Sequence, residues 1–302
     1  MSAFQTDTND IERTEDHSLE LVDIHLFSSS QLVEIAGYIR DDTLEELNRQ
    51  EKSFQVKETF YIKYIKRFLD IVLSFIAIVF TAPVNLVIGI ITLFDVGRPI
   101  FFKQTRIGKN GKPFVIYKFR NMTNERDANG ELLPPAERVT KWGRFVRKTS
   151  LDELLNFVSI LKGDMSFIGP RPLISAYIER LHCRHLMMYS VRPGLECPIL
   201  REKKHAPTWQ DRLDNYAWYA ENVSFLVDLK MCLHMINLVF AHESTSKRSV
   251  SANGAFLGYD IYGKVLDSYA VPKKYVNLFL EKHRYKSLED AIENRYNKGI
   301  KE

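Results

Sequence analysis

The sequence is poor in cysteine. Its three cysteines, Cys183, Cys197 and Cys232, are scattered and odd in number. They exclude a disulfide framework and a zinc site of the CxxC type, and they favour reducing surroundings. With 45% hydrophobic and 26% charged residues among 302, the composition also excludes wholesale disorder, collagen-like repeats and a transporter with many membrane spans. The chain is long enough for one sizeable globular unit or two small ones.

Basic residues are scarce at the start of the chain. The first 58 residues hold fourteen acidic and five basic side chains, a net charge of −9, whereas the other 244 hold 37 basic and 24 acidic ones, a net charge of +13. A basic body suits an anionic partner, which could be nucleic acid, acidic lipid head groups or a phosphorylated small molecule. Charge alone does not choose among these three classes.

One long stretch lacks charge altogether. Ile71 to Phe94 holds 24 residues without a formal charge, and its only polar side chains are those of Ser74, Thr81, Asn85 and Thr92. As one helix it would reach about 36 Å, enough for a hydrocarbon core of about 30 Å. It begins about seventy residues into the chain, too late for a cleaved signal peptide. The stretch predicts a membrane helix, with a buried helix of a soluble core as the alternative.

The flanks of this stretch indicate how it enters the membrane. Basic residues lie on both sides in nearly equal number, so the positive-inside bias places both ends on the cytoplasmic side. They are Lys57, Lys63, Lys66 and Arg67 before it and Arg98, Lys103, Arg106, Lys109 and Lys112 after it. Pro83 stands near the middle, where proline kinks or breaks a helix. We therefore expect a re-entrant hairpin broken at Pro83, with a kinked spanning helix as the alternative.

Two short β-prone runs follow the apolar stretch. Phe101 to Arg106 and Phe114 to Phe119 are separated by Gly108, Asn110-Gly111 and Pro113. This spacing predicts a small basic hairpin at the membrane surface. The polar residues 124–135 that come next predict a loop.

A pair of adjacent carboxylates, Asp152 and Glu153, opens an apolar run. Ser150, three residues before Glu153, predicts a capping box, and Arg147 and Arg171 lie on either side in the sequence. Two carboxylates at a helix N-terminus would lie in a positive backbone field that keeps them ionised and attracts phosphate oxygens. The pattern fits a catalytic pair, and it also fits a well-capped helix start without catalysis.

Five motifs follow one another between about Tyr64 and Leu173. They are Lys66-Arg67-Phe68-Leu69-Asp70, Gln104-x-Arg106-x-Gly108-x-x-Gly111-Lys112-x-Phe114, Tyr117-Lys118-Phe119-Arg120-x-Met122, Ser150-Leu151-Asp152-Glu153-Leu154 and the run from Gly163 to Leu173. Further matching pieces lie at 192–195 and 219–230. In this order the motifs resemble the bacterial sugar transferase family, the monotopic phosphoglycosyl transferases.

The resemblance implies a reaction. Such enzymes move a sugar phosphate from a nucleotide diphosphate sugar, usually a UDP-sugar, to polyprenyl phosphate at the cytoplasmic face of the bacterial inner membrane, and they release UMP. By this similarity Asp152 is the nucleophile that forms an acyl-phosphate intermediate, and Glu153 helps to hold Mg2+. The residues that the resemblance assigns to the substrate phosphates are Arg147, Arg171, Lys118 and Arg120.

The resemblance also implies partners and a place in metabolism. The expected partners are a UDP-sugar, polyprenyl (undecaprenyl) phosphate and membrane lipids, with a second copy of the chain or downstream glycosyltransferases as further candidates. The reaction would be the first membrane step of a surface glycan or glycoconjugate pathway. No nucleic-acid partner is expected, because no recognisable reading module accompanies the basic charge.

The chain departs from the family pattern in places. Ala82 stands where Ser commonly precedes the membrane proline, and Leu155-Asn156 stands where Pro-Gln is common. Glu196-Cys197 replaces the usual Thr-Gly, and the stretch 195–209 matches poorly. These departures leave the sugar open. They also motivate the alternative function, a catalytically altered membrane scaffold of a glycan-assembly complex.

Two further segments receive ordinary structural interpretations. His182, Cys183 and His185 have loose metal-ligand spacing but no second cluster, so interfacial or solvated side chains are expected. Phe225 to Ala241 is too polar for a membrane span, and an amphipathic helix on the membrane surface is expected.

The predicted fold class is α+β and mainly helical. It combines a re-entrant membrane element (helix, break, helix) at about 68–95 with amphipathic surface helices and a small β-hairpin. Three regions are expected: an acidic N-terminal extension at 1–58, a membrane-associated phosphoglycosyl transferase domain at 59–245 and a C-terminal extension at 246–302. Either extension could contact an oligomer or a partner.

Overall fold

The computed structural model describes residues 20–54, 56–126, 130, 132–133, 135–200, 207–240 and 254–294. Its helices are α1 (Ser29–Gln50), α2 (Lys66–Val96), α3 (Pro135–Arg138), α4 (Lys141–Lys148), α5 (Asn156–Lys162), α6 (Cys183–Leu186), α7 (Trp209–Asn222), α8 (Phe225–Phe240), α9 (Lys273–His283) and α10 (Leu288–Glu293). Its strands are β1 (Leu21–Val22), β2 (Phe101–Ile107), β3 (Pro113–Phe119), β4 (Ser166–Ile168), β5 (Gly194–Glu196), β6 (Phe256–Tyr259), β7 (Val265–Asp267) and β8 (Val271–Pro272). The strands pair as β1–β8, β2–β3, β4–β5 and β6–β7. The prediction of a mainly helical chain with small sheets is confirmed.

The two ends of the chain pack together. Strand β1 pairs antiparallel with β8, and α1 begins at a capping box formed by Ser28 and Gln31. The amide of Gln31 also donates to the carbonyl of Ala291, 2.9 Å away. The core shared by the two ends is formed by Ile24, Phe27, Ile35, Ala36, Ile39, Leu257, Leu266, Val271, Tyr275, Val276, Phe279 and Ala291. Residues 20–50 and 254–294, predicted as two extensions, therefore form one unit, the terminal lobe.

The described residues between positions 51 and 240 form the body. Its core centres on α7, whose buried side chains include Trp209, Leu213 and Tyr216. The parallel pair β4–β5 crosses this core. A methyl group on Gly194 would lie 2.2 Å from the backbone nitrogen of Gly169. The two chain segments are therefore so close that only glycine fits at this position.

Helix α2 is the apolar element that the sequence predicts. It follows a π-helical turn (Tyr61–Ile65), and it ends where Gly97 adopts a positive φ of 72°. The combined helix Tyr61–Val96, whose most apolar window has a mean hydropathy of 2.5, is the one helix of the described residues that is long and apolar enough to cross a membrane. Only 11% of its most apolar window is buried against the rest of the protein.

The predicted break at Pro83 is absent, because α2 runs through this residue without interruption. Proline lacks a backbone hydrogen bond and its ring crowds the preceding turn, which weakens a helix locally. Polar side chains support the helix around it: the hydroxyl of Thr81 donates to the carbonyl of Ala77 (2.7 Å), and the amide of Asn85 donates to Thr81 (3.4 Å). The helix-break-helix prediction is wrong for this structure, whereas the route through the membrane remains a prediction.

Both ends of α2 are held by the body. Near the first turn, the ammonium of Lys66 pairs with Asp228 of α8 at 2.6 Å. In the last turn, the hydroxyl of Thr140 donates to Asp95 at 2.6 Å. The large apolar side chains between these anchors, within residues 75–87, are mostly exposed.

The basic hairpin is confirmed as β2–β3, paired in register from Phe101 opposite Phe119 to Ile107 opposite Pro113. Asn110 adopts a positive φ of 58° in the connection, as asparagine does more readily than most residues. Because side chains alternate along a strand, Ile116 and Lys118 share one face of β3.

Helix α8 covers most of the segment predicted as an amphipathic helix. Asp228 and Met231 are buried, whereas Phe225, Leu226 and Leu229 are exposed. The helix is therefore two-sided, as expected.

Candidate active site

The two adjacent carboxylates lie on a single 3₁₀ turn (Leu151–Glu153) between α4 and α5. The predicted capping box is wrong. Ser150 has a left-handed backbone (φ 56°, ψ 22°) and makes no side-chain capping bond, whereas a capping residue needs an extended backbone. Its carbonyl instead accepts from the amide of Glu153 at 3.1 Å, and α5 begins later, at Asn156.

Glu153 is bound by two cations. The ammonium of Lys118 on β3 lies 2.8 Å from Glu153 Oε1, and the guanidinium of Arg171 lies 2.5 Å from the same oxygen. Burial opposes ionisation, but the two positive charges outweigh it and lower the pKa of Glu153 to about 2. Glu153 is therefore ionised at neutral pH.

Asp152 has a different environment. It is only 6% exposed, and within the described residues no cation pairs with it directly. Burial raises its pKa above the ordinary 3.8, and the neighbouring Glu153 adds to this, while Lys118 and Arg147 act in the opposite direction. Neighbouring carboxylates whose environments separate their pKa values are typical of sites where the two have different roles.

Arg171 stands on the turn between β4 and the following 3₁₀ helix. Besides Glu153, it donates to the carbonyl of Leu195 at 3.3 Å. Burial lowers the pKa of Arg171, but the negative charges of Glu153 and Glu196 raise it by a larger amount. The pKa is therefore raised overall. The partly exposed guanidinium thus stays charged.

The structure brings Asp152, Glu153, Lys118 and Arg171 together at one site. Arg147, in the last turn of α4, is exposed and acts on Asp152 through its charge. Arg120 lies elsewhere. Its guanidinium donates to the carbonyls of Val96, Gly97 and Arg98 at the end of α2, so here it caps that helix.

Two residues that sequence reasoning did not assign to the site act on Arg171 through their charges. The guanidinium of Arg106 on β2 interacts electrostatically with Arg171 and Glu153. Its Nε is buried and has no hydrogen-bond partner in the described part of the chain. Glu196, in the divergent stretch, interacts with Arg171. For Arg106, the sequence contains the Gln104-x-Arg106 motif, which supports the family resemblance but does not by itself indicate a place in the site.

The carboxylate pair suits a magnesium ion. Both cations that bind Glu153 bond to Oε1, so neither occupies Oε2. Mg2+ commonly binds through one or two carboxylates together with substrate phosphates, without a complete protein cage. Within the described residues no cluster of three or more His, Cys, Asp and Glu side chains is present, and such a partial site does not need one.

The histidine pair at 182–185 is neither solvated nor part of a metal cluster in the described residues. His182 and His185 are 3% and 1% exposed, and their rings lie 4.1 Å apart. His185 is hydrogen-bonded to Tyr259 of the terminal lobe at 2.7 Å and to Asp214 at 2.9 Å. Of the two expected environments, interfacial or solvated, the structure has the interfacial one, because the terminal lobe covers this face.

Comparison with known proteins identifies the family. Residues 61–242 match the model of the family described as bacterial sugar transferase. The chain belongs to this family. The resemblance predicted from the ordered motifs is thus confirmed, and with it the class of enzyme, a phosphoglycosyl transferase.

Among similar proteins is the uncharacterized sugar transferase EpsL of Bacillus subtilis, 36% identical over 194 residues, which are 64% of this chain and 96% of EpsL. The undecaprenyl-phosphate galactose phosphotransferase of Salmonella typhimurium is 31% identical over 60% of this chain and 41% of its own length. The UDP-glucose:undecaprenyl-phosphate glucose-1-phosphate transferase of Escherichia coli is 37% identical over 44% of this chain and 30% of its own length. The chain therefore spans less than half of these two transferases.

Proposed function

We propose that the protein transfers a sugar 1-phosphate from a UDP-sugar to undecaprenyl phosphate or a similar polyprenyl phosphate. The observation that carries this proposal is the separation of roles in the carboxylate pair. Glu153 is held by Lys118 and Arg171, whereas Asp152 is buried beside it and free of direct ion pairs in the described residues. The names of the Salmonella and Escherichia relatives support the same reaction.

The proposed chemistry has two displacements. An ionised oxygen of Asp152 attacks the sugar-linked phosphorus, a phosphorus–oxygen bond forms, and the bond to the UMP oxygen breaks, so UMP leaves with the electron pair. A phosphate oxygen of the polyprenyl phosphate then attacks the same phosphorus and frees the Asp152 carboxylate. Splitting one displacement into two is the advantage of covalent catalysis.

The basic side chains around the pair have electrostatic roles in this proposal. Arg171 is already fixed by Glu153 and presents a planar set of donors suited to phosphate oxygens. Lys118 and Arg147 favour the ionised form of Asp152. Glu153 would hold Mg2+, which would neutralise phosphate charge when bound.

The proposed function is tested by measuring UMP release from a panel of UDP-sugars with polyprenyl phosphate in detergent. We expect release with at least one UDP-sugar, dependent on Mg2+. The scaffold alternative requires no release with any of them. The intact arrangement of Glu153, Lys118 and Arg171 argues against that alternative.

Replacing Lys118 should change the pH dependence of the reaction. Because the Lys118 charge lowers the pKa of Asp152, Lys118→Gln should raise it, and the acid limb of kcat/KM should move to higher pH. Lys162→Gln, at an exposed pair with Asp164, should leave that limb in place. An acid limb that stays put or moves to lower pH in Lys118→Gln would contradict the proposed nucleophile.

We also propose that α2, which is unbroken at Pro83, lies in the cytoplasmic leaflet of the membrane with both ends on the cytoplasmic side. The anchors at Lys66 and Asp95 both attach α2 to the polar body, and a helix crossing the bilayer would separate them. The exposed apolar side chains of α2 extend from Phe68 to Phe94, so in this proposal the helix is embedded in the cytoplasmic leaflet along most of its length. The apolar face of α8 would lie on the same membrane surface.

Cysteine labelling tests this topology. In a background lacking the three native cysteines, single cysteines at Lys57 and Lys109 should both be shielded from an impermeant reagent added to intact cells, and both should react after permeabilisation. Reaction of only one end from outside would establish a spanning helix. Pro83→Ala should move molecules toward that spanning form, because it restores the backbone hydrogen bond that proline lacks.

A further inference from the structure

A cleft of about 280 Å³ lies between α1 of the terminal lobe and the 3₁₀ helix Ser175–Arg180 of the body. None of the described residues that line it belongs to the candidate active site. One part of the lining is apolar and is formed by Val33, Ala36 and Ala176. The family match covers residues 61–242, so the wall formed by α1 lies outside the family region. The cleft is therefore a feature that the terminal lobe adds to the family domain.

Arg180 lines the cleft as a buried cation, since only 6% of the residue is exposed. Its guanidinium donates to the carbonyl of Phe256 at 2.8 Å, and its Cζ lies 5.5 Å from the centre of the Tyr177 ring. In the described part of the chain no carboxylate forms an ion pair with it, and its neighbour Glu179 pairs with Arg40 instead. Because a buried charge is costly unless an opposite charge offsets it, this guanidinium indicates a site for an anion.

Arg40 supplies a second guanidinium, from the wall formed by α1. It reaches Glu179 on the 3₁₀ helix at 3.2 Å, and it also pairs with Asp41, its neighbour in the chain, at 2.8 Å. The side chains of Glu179 and Asp41 are 77% and 67% exposed, respectively. Exposed ion pairs are weak, so Arg40 can exchange Glu179 for an anion that enters the cleft.

Gly37 leaves room in the cleft. It lies inside α1 and forms part of the lining. A Cβ atom at this position would meet no atom of a neighbouring element within 4 Å, so close packing does not require glycine here. Glycine inside a helix lowers stability relative to alanine. The absent side chain therefore weakens the helix without relieving a contact, and it keeps the cleft open.

We propose that this cleft binds a small phosphate monoester, with the phosphate between Arg40 and Arg180 and the organic group against the apolar part of the lining. At neutral pH such a phosphate carries a charge of about −1.5 to −2, which matches two guanidinium groups. Each guanidinium presents planar donors suited to phosphate oxygens, and the hydroxyl of Ser175 in the lining is a further donor. The volume is at the lower end of the range for ligand pockets, so the ligand is compact.

The binding test uses phenyl phosphate and inorganic phosphate, each titrated calorimetrically into the full-length protein in detergent without Mg2+. We expect phenyl phosphate to bind more tightly, because its ring can contact the apolar part of the lining. Arg40→Gln should weaken its binding by about 10-fold or more, the scale of one hydrogen bond to a charged group. Equal affinity for the two phosphates, or an unchanged affinity in Arg40→Gln, would contradict the proposed site.

Arg49→Gln is the matched control for Arg40→Gln. Arg49 is an exposed cation of the same helix that pairs with Glu45 and Glu46. It lies nine residues beyond Arg40 and does not line the cleft. Because salt screens exposed charges at such a separation, its loss should change the affinity for phenyl phosphate by no more than about twofold.

Glu179→Gln separates phosphate binding from a general structural effect. The substitution removes a negative charge from the cleft and frees Arg40 from one of its two carboxylates. Phenyl phosphate should therefore bind more tightly to this variant than to the parent protein. A change that merely disturbed the contact between lobe and body would weaken binding instead. Weaker or unchanged binding by Glu179→Gln would overturn the proposal.

Gly37→Leu tests the space itself, because the new side chain should fill the cleft and abolish binding. Gly37→Ala is its control: it should retain binding and raise the temperature of thermal unfolding, since alanine favours the helix. Full binding by a folded Gly37→Leu protein would show that the phosphate lies elsewhere. If Gly37→Leu does not fold, the opposite effects expected of Arg40→Gln and Glu179→Gln still decide.

Hydrogen–deuterium exchange locates the bound phosphate. Phenyl phosphate should slow amide exchange in residues 33–40 and 175–180. Protection confined to residues 150–171 would place it at the candidate active site, and protection nowhere would mean that no specific site exists; either result overturns the assignment to the cleft. The measurement needs no turnover, so a protein that releases no UMP would refute the proposed function without affecting this inference.

Discussion

Asp152→Asn should lower UMP release by roughly 10⁴-fold or more, since removing a covalent nucleophile is among the most costly changes an enzyme can undergo. The substitution keeps the size of the side chain and removes the negative charge that attacks phosphorus. Because Asp152 forms no ion pair in the described residues, its loss leaves no buried cation unpaired. The protein should therefore stay folded.

The measurement is single-turnover UMP release with the best UDP-sugar, alongside thermal unfolding in detergent. Asp41→Asn is a suitable control, because Asp41 is an exposed carboxylate of the terminal lobe that pairs with Arg40. Trapping of a phosphosugar on the parent protein, and its absence from Asp152→Asn, would add direct support. Release at a rate near that of the parent protein would show that Asp152 is not the nucleophile.

Asp228→Asn should have the largest effect on stability. One oxygen of Asp228 accepts from Lys66 and from the hydroxyl of Tyr61, and the other accepts from Tyr219 at 2.7 Å. The side chains of Lys66 and Asp228 are only 10% and 9% exposed. Removing one charge of a buried pair leaves the other uncompensated, which costs about 3–5 kcal/mol. We expect a loss of that size in the free energy of unfolding.

An exposed ion pair provides the comparison. Glu20→Gln breaks the ion pair between Glu20 and Lys273, whose side chains are 68% and 47% exposed, respectively. Exposed ion pairs of this kind contribute at most about 1 kcal/mol to stability. Replacing both buried partners, as Lys66→Met with Asp228→Leu, should recover part of the stability because no lone charge remains. Equal losses at the two pairs would mean that α2 is held to the body by its apolar contacts instead.

The elements predicted correctly are those that depend on nearby residues. The β2–β3 hairpin follows from two β-prone runs around a glycine-rich turn, and both strands were found within about one residue of the predicted limits. The apolar stretch likewise predicted the helical core of α2. The wrong prediction of a break at Pro83 also came from a local pattern. Proline weakens a helix locally, but the neighbouring turns, with the hydrogen bond from Thr81 to Ala77, keep α2 continuous.

The capping box at Ser150 shows where local patterns fail. Ser150 and Glu153 have the right spacing, but the chain turns sharply between α4 and α5, and Ser150 adopts a left-handed backbone to make that turn. The carboxylate of Glu153 is then bound by Lys118 and Arg171. A capping box and these ion pairs would both use the carboxylate of Glu153. The structure contains the ion pairs and lacks the capping box.

The sequence by itself determined the apolar helix, the hairpin, the carboxylate pair and the family, because each depends on residue types at short, fixed spacing. Tertiary structure alone decided which distant groups meet: Lys118 with Glu153, Lys66 with Asp228, and the first helix with the last strands as one terminal lobe. Such pairings join residues 35 to 260 positions apart. They are selected by the burial of apolar surface and the need to pair each buried charge, and both depend on the packed whole rather than on any segment.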